Sequence, residues 1–475
     1  MHPIATVLRN GSQHLTNKMK IPLTLRPPFF AVVMVALAAG VALCGCGRHS
    51  GTPTKPSAIR PSGADPLAIA LAPHSGNGRL DGEIRHIQEQ VRGASDPEIS
   101  IEQLGWLFVA KARESFDPGF YKLAEQCALS LESRRSGSPE AMLLRGHALH
   151  SQHYFREAES LAQQLVTKRG LAFDYGLLGD ILVDVGRVDE AAQAYQAMLD
   201  LRPDPQGYAR AAHIRWLKGD LDGAVEIMRM AVGGASPSDP ESAAWILSQL
   251  ARYLWQAGKV VEADRALQSA LSVQTNYPPA LLLRGRMELT EAKSDDAIQL
   301  LREAAQLNPL PEYQWALSEA LRAAHCEHEA RAVEAEIISR GPSSDPRTCS
   351  LFLATQRERV ELAERLARQE LNERADVLTH DALAWALAAT GNFSEARTHM
   401  NLALSQGTQD ARLYFHAAVI AARAEKFDEA KDFLAKAFAS QSQLLPSELA
   451  QLRSAEAMLP SSPLSLVAPT SIALP

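Results

Sequence analysis

No CxxC pair, no CxxCH haem site and no paired cysteine–histidine spacing occurs in this sequence, which has five cysteines in 475 residues. That removes the zinc-finger, zinc-ribbon and c-type haem classes. GxSxG, HExxH, Walker A and GxGxxG segments are missing too, so no common catalytic or nucleotide-binding signature argues for an enzyme. Positive charge is also in deficit. The formal net charge is −7. Arg9, Lys18, Lys20 and Arg26 are the charged residues of the first 45, and setting them aside lowers 48 basic residues to 44, against 55 acidic ones. A general nucleic-acid binder needs a basic face to displace counterions, so that class is not expected, although a local basic patch remains compatible. Aromatics reach only 6 %, but apolar residues reach 46 %, enough for a core and against wholesale disorder. No cofactor and no metal is expected.

Cys44 and Cys46 lie in an N-terminal segment of special composition. Phe29 to Cys46 reads FFAVVMVALAAGVALCGC, uncharged and preceded by Lys20 and Arg26. This is the layout of an export signal. Its end, Leu43-Cys44-Gly45-Cys46, resembles the lipobox of bacterial lipoproteins, in which a small residue precedes the lipid-bearing cysteine. Gly45 is that small residue, which makes Cys46 the expected lipidation site. Cys44 fits less well after bulky Leu43. A retained transmembrane anchor and a plain cleaved signal are the alternatives; the run is short for ~30 Å of hydrocarbon. Met19 opens a more ordinary signal, so residues 1–18 would be a misassigned start. All these readings place the body outside the cytoplasm, in a cell envelope. The segment 47–82 is rich in Gly, Pro and Ser and reads as a flexible tether.

Beyond it a repeat appears. Ala124, Ala158, Ala191, Ala224, Ala263, Ala297, Ala330, Ala363, Ala396 and Ala430 recur every 33 or 34 residues, with one step of 39. Each is preceded by a turn, often containing Gly, and followed by apolar residues at helical spacing, as in GRVDEAAQAYQAML and GDLDGAVEIMRMAV. Twelve residues before each alanine stand Ala112, Gly146, Gly179, Ala212, Ala251, Gly285, Ser318, Leu351, Ala384 and Ala418. All but Leu351 are small, as required where two antiparallel helices cross closely. Pro203, Pro309 and Pro342 fall where the second helix should stop. Ser138-Pro139 and Asp239-Pro240 read as helix starts. The eighth unit departs most, with Leu351 at a small position and Glu370 at an apolar one.

The small residue, tight turn, alanine and late proline resemble the tetratricopeptide repeat, over about residues 105–444. The resemblance implies an all-α, right-handed superhelical solenoid of about ten helix–turn–helix units. A helical cap is expected over 83–104, a second over 445–458, and a disordered tail over 459–475. It also implies that partners are proteins or peptides held in the concave groove. By register, that groove presents His213, Trp216, Arg252, Trp255, Arg286 and Arg322, with Glu319, His147 and His150 nearby. Inward Arg and Trp suit a peptide with acidic and apolar groups. Packing and plain exposure are the competing reading of the same residues. His325-Cys326-Glu327-His328 suggests a metal, but these residues sit in a tight turn and cannot easily converge on one ion. Cys326 and Cys349 would pair in an oxidising compartment only if the fold brings them together. Lipid-anchored relatives imply a scaffold in export, pilus or polysaccharide machinery. An accessory ligand- or glycan-binding subunit of an exported enzyme system is the alternative.

Overall fold

The computed structural model describes residues 65–236 and 238–459, and among them every regular element is helical. The export segment with Cys46 and residues 460–475 lie outside the described residues. Two helices lead in, α1 (Pro66–Ala70) and α2 (Arg79–Gly93). Ten antiparallel hairpins follow. They are α3 (Glu98–Ser115) with α4 (Gly119–Arg134), α5 (Pro139–Ser151) with α6 (Phe155–Lys168), and α7 (Ala172–Asp184) with α8 (Val188–Leu201). Next come α9 (Pro205–Leu217) with α10 (Leu221–Gly234), α11 (Pro240–Gln256) with α12 (Val260–Val273), and α13 (Pro278–Thr290) with α14 (Ser294–Leu307). Last are α15 (Pro311–Ala323) with α16 (Glu327–Ser344), α17 (Pro346–Gln356) with α18 (Val360–Glu373), α19 (Val377–Ala389) with α20 (Phe393–Leu404), and α21 (Ala411–Arg423) with α22 (Phe427–Ala439). A 3₁₀ turn at Gln441–Gln443 leads into the final helix, α23 (Pro446–Glu456).

The sequence explains this rhythm locally. Asp204, Asp239 and Asp345 each precede a proline and accept a backbone N–H of the helix that follows, and Ser138 does the same before Pro139. Such caps satisfy donors that a helix start leaves unpaired. Within eight of the ten hairpins the residue five before the marker alanine adopts the left-handed conformation, from His153 (φ 63°) to Glu425 (φ 58°). His325 is one of these turn residues, and no group of three metal-ligating side chains occurs among the described residues. At the small position, a Cβ on Gly285 would stand 2.6 Å from Cγ of Leu301 on the partner helix. The marker alanines are all fully buried.

Two local expectations are corrected, and the open question of the Cys326–Cys349 pair is answered. Pro342 does not stop α16 but lies inside its last turn, which runs to Ser344. Gly341 beside it leaves room for the Cys349 side chain of α17. Part of the segment expected as tether is packed: Asp65 caps α1, and the Gln88 amide of α2 donates to the carbonyls of Ala70 and Ala72 at 3.0 Å each. Cys326 and Cys349 are unpaired thiols; the first contacts the carbonyl of Ala324, the second that of Ile337.

The stack curls until distant hairpins touch. Near the start, the Arg113 guanidinium pairs with Glu241 at 3.3 Å, and Phe116 packs against Tyr277. Further along, Arg374 reaches Asp184 at 3.4 Å. Thr408 donates to the carbonyl of Leu217 and Gln409 to that of Gly219, both at 2.7 Å. Arg286 donates to the carbonyl of Gln443 at 2.6 Å, and Gln451 on α23 to that of Thr355 at 2.8 Å. The first helices of hairpins three to six therefore carry a roof made of hairpins eight to ten and the C-terminal cap.

Candidate functional site under the roof

The site is built where α9, α11 and α13 face this roof. Trp216 on α9 is 2 % exposed, and its indole N–H donates to Gln256 at 2.7 Å. His213, one turn earlier, stacks on Trp216 with ring centroids 5.4 Å apart. Burial, then the charge of Arg252, pushes the His213 imidazole down to about 4, so it is neutral at ordinary pH. The Arg252 guanidinium lies 5.0 Å over Trp216 and 5.1 Å over Tyr253. One hairpin on, Arg286 lies 5.7 Å over Trp255, which is 5 % exposed. Guanidinium over indole is an attractive arrangement that strengthens as water is removed. Five of the six residues expected on the groove therefore meet in one place.

Arg322 does not join them. It turns back within its own hairpin to Glu334 and Glu327, both at 2.7 Å. Glu319, expected nearby, is 2 % exposed and holds the cap: its carboxylate accepts the indole N–H of Trp315 and the backbone N–H and hydroxyl of Ser447. His147 and His150 belong to an earlier stretch, where His147 stands edge-on to Trp106 and His150 contacts Asp184 at 2.8 Å.

Between wall and roof lies a cavity of about 270 Å³. Trp216, Arg252, Trp255 and Arg286 line one side, and Arg347, Asp381, Asp410 and Arg412 line the other, with Glu312 and Gln443 at its margins. The groove register read from the sequence does not include the residues of the far side, although the sequence carries a signal for them. Glu312 and Arg412 stand seven residues before Glu319 and Val419, and Asp381 stands four before Trp385, which is the same helix face one or two turns earlier. The inner face, extended toward each helix start, includes them.

Most charges in the cavity are already matched. Arg412 contacts Glu448 at 2.6 Å and Arg347 contacts Asp376 at 3.2 Å. Asp381 contacts the buried ring of His416 at 2.7 Å. Asp410 caps α21 and accepts from Gln256 at 3.1 Å. Two guanidiniums are left. Arg286 has Glu312 only at 4.0 Å, and its side chain is 17 % exposed. Burial, then the positive charge of Arg412, lowers it from the ordinary guanidinium range. Arg252 has no ion-pair partner among the described residues, and its Nε is buried without a hydrogen-bond acceptor.

A family model described as tetratricopeptide repeat matches residues 177–240 and 248–310. No curated protein matches the chain. Several solved structures are similar at low identity. One is the Cut9–Hcn1 hetero-tetramer of the APC/C, with 13 % identity and a TM-score of 0.42, over 82 % of this chain and 62 % of that one. Yeast Tom70 aligns with 14 % identity and a TM-score of 0.33, over 80 % and 92 % of the two chains. The C-terminal part of a repeat protein from Cytophaga hutchinsonii aligns with 17 % identity and a TM-score of 0.30, over 58 % and 97 %. The matched residues cover hairpins three to six, and the same turn and marker alanine continue on both sides of them. Residues 177–310 of this chain carry tetratricopeptide repeats, and the hairpins on either side follow the same pattern.

Proposed function

We propose that this protein is an interaction scaffold tethered to a membrane of the cell envelope through lipid on Cys46, serving an assembly of the export, pilus or polysaccharide type. The observation that carries the scaffold reading is the array of ten hairpins, a family architecture that presents surfaces to protein and peptide partners. The lipobox-like Leu43-Cys44-Gly45-Cys46 supports the tether. Among the described residues no helix is long and apolar enough to cross a membrane.

The inner wall is not open to a long peptide as it stands. A segment running along hairpins four to seven would have to lift the roof. The partner surface is therefore assigned mainly to the edge where the second helices end. Leu201, Val273 and Leu307 all stand ten residues after their marker alanines, and they are 57 %, 40 % and 42 % exposed. Leu171 and Phe173 add to the same edge. Exposed apolar side chains in register suit a protein partner.

Crosslinking in the native envelope, followed by identification of what is captured, tests both parts. A reproducible partner set that shrinks in a Leu201→Glu/Leu307→Glu variant supports the edge. A partner set unchanged there but lost in Trp255→Ala moves the contact to the inner wall. Cys46→Ala should release the protein from membranes; firm retention without any lipid label would instead favour the transmembrane alternative.

A further inference from the structure

Two half-buried arginines of consecutive hairpins line a polar cavity, with no carboxylate of their own closer than 4.0 Å. A guanidinium removed from water loses hydration that it must recover from a counter-charge or hydrogen bonds. Arg412 and Arg347 recover it from Glu448 and Asp376. Arg286 recovers part from one backbone carbonyl, and Arg252 rests on ring faces with one long hydrogen bond, 3.5 Å, to the Tyr253 hydroxyl. Each fork retains N–H donors toward the same cavity, and a planar fork is suited to two oxygens of one anion. The indoles of Trp216 and Trp255 fix both guanidiniums in place, so little side-chain freedom is lost on binding.

We propose that the cavity is a binding site for a small free anion, with a carboxylate or phosphate group held between Arg252 and Arg286. The site exists only because the superhelix closes: the wall comes from hairpins four to six and the far side from hairpins eight to ten. At about 270 Å³ the space suits a molecule of a few heavy atoms rather than a folded partner or an extended peptide. The assignment goes beyond the scaffold reading and stands or falls without it. An anion bound here would stabilise the closed form, in which the cavity is complete.

The test uses the full chain in detergent, with inorganic phosphate and succinate as probes and sodium chloride at matched ionic strength as the reference. Intrinsic tryptophan fluorescence and thermal unfolding are recorded together. The expected result is a saturable fluorescence change and a rise in melting temperature with at least one probe, absent with chloride. Response to phosphate alone assigns a tetrahedral anion, to succinate alone a carboxylate, and to both an anion site of broad choice. Arg252→Gln should weaken the response at least tenfold; its own melting in chloride, lowered only by the lost contacts with Trp216 and Tyr253, is the reference for that comparison. If that variant does not fold, Arg252→Lys keeps the charge without the fork and should still bind more weakly. Arg340→Gln on the surface should behave as the parent. No saturable response to either probe, or an equal response in a folded Arg252→Gln, would overturn the proposal.

Discussion

Four glycines occupy the same left-handed turn position but make different contacts, which gives the closure a sharp test. Gly186 (φ 80°), Gly219 (φ 77°), Gly258 (φ 71°) and Gly391 (φ 86°) each stand five residues before a marker alanine. A Cβ at Gly258 or Gly391 would meet nothing within 4 Å. A Cβ at Gly186 would overlap the carbonyl of Ala375, and one at Gly219 the carbonyl of Gly407. Both obstacles are backbone of the roof. Alanine at Gly258 or Gly391 therefore bears only the left-handed penalty, about 1 kcal/mol. The chain itself tolerates that conformation at Ala292 (φ 58°) and His325 (φ 59°). Alanine at Gly186 or Gly219 adds the cost of displacing packed backbone, by analogy with overpacking about 1–3 kcal/mol more. The comparison is between pairs, so errors in the common penalty cancel. Urea unfolding gives the overall loss. Hydrogen exchange at residues 374–376 and 405–410 shows whether it falls on the seam. If Gly219→Ala and Gly258→Ala lose the same stability, and exchange at 405–410 is unchanged, the closed superhelix is wrong.

Glu448 is fully buried, accepts the backbone N–H of Leu445 at 2.8 Å and contacts Arg412 at 2.6 Å. Glu448→Gln should cost about 3 kcal/mol by stranding a largely buried guanidinium, with faster exchange in α21 and α23; a loss spread evenly over the array would contradict the assignment. His147 and His213 are both held down to about 4, first by burial. Unfolded, each titrates at about 6.5, so the unfolded chain binds more protons between those values and stability should fall as pH drops from 6.5 to 4. His150 has the opposite sign: despite burial, its contact with Asp184 raises it, so its contribution is full below 6.5 and is lost as pH rises above it. A His213→Gln variant should show a smaller difference in urea midpoint between pH 7 and pH 5 than the parent; an unchanged difference would remove His213 from the account. Gly285→Val places methyls against Leu301 and should cost about 1–3 kcal/mol, localised by exchange to α13 and α14.

The hairpins were readable from the chain because what specifies them is local. A marker alanine, its turn and the small residue on the opposing helix all fall within a dozen residues, and the same constraint returns ten times. Nearest-neighbour stacking is the dominant energy in such an array, and a period is its direct trace. The inner-wall cluster was readable for the same reason: His213, Trp216, Arg252, Trp255 and Arg286 share a register. Their environment was not readable. Nothing in a period says whether a wall faces solvent, a partner or the chain's own far end, and Arg322, at the register of the two tryptophans, simply follows the carboxylates of Glu327 and Glu334 within its hairpin.

What specifies the closure is carried by exceptions to the repeat. The eighth hairpin holds most of them. Leu351, too large for its register, is buried and lines the cavity. Glu370, charged where the pattern is apolar, is 6 % exposed and contacts Arg374 at 3.0 Å, and Arg374 in turn reaches across to Asp184. Its turn places Arg357 (φ 54°) and Arg359 (φ 49°) in the left-handed region on either side of the usual site. A buried charge is costly unless paired, so a glutamate at an apolar position of one repeat signals a partner outside that repeat. The cationic partner is four residues away in sequence, but the carboxylate that completes the trio lies in the third hairpin. In a solenoid, then, agreement with the consensus locates the stack, and the residues that break it locate the surfaces where the stack meets something else. In this chain the first such surface is its own.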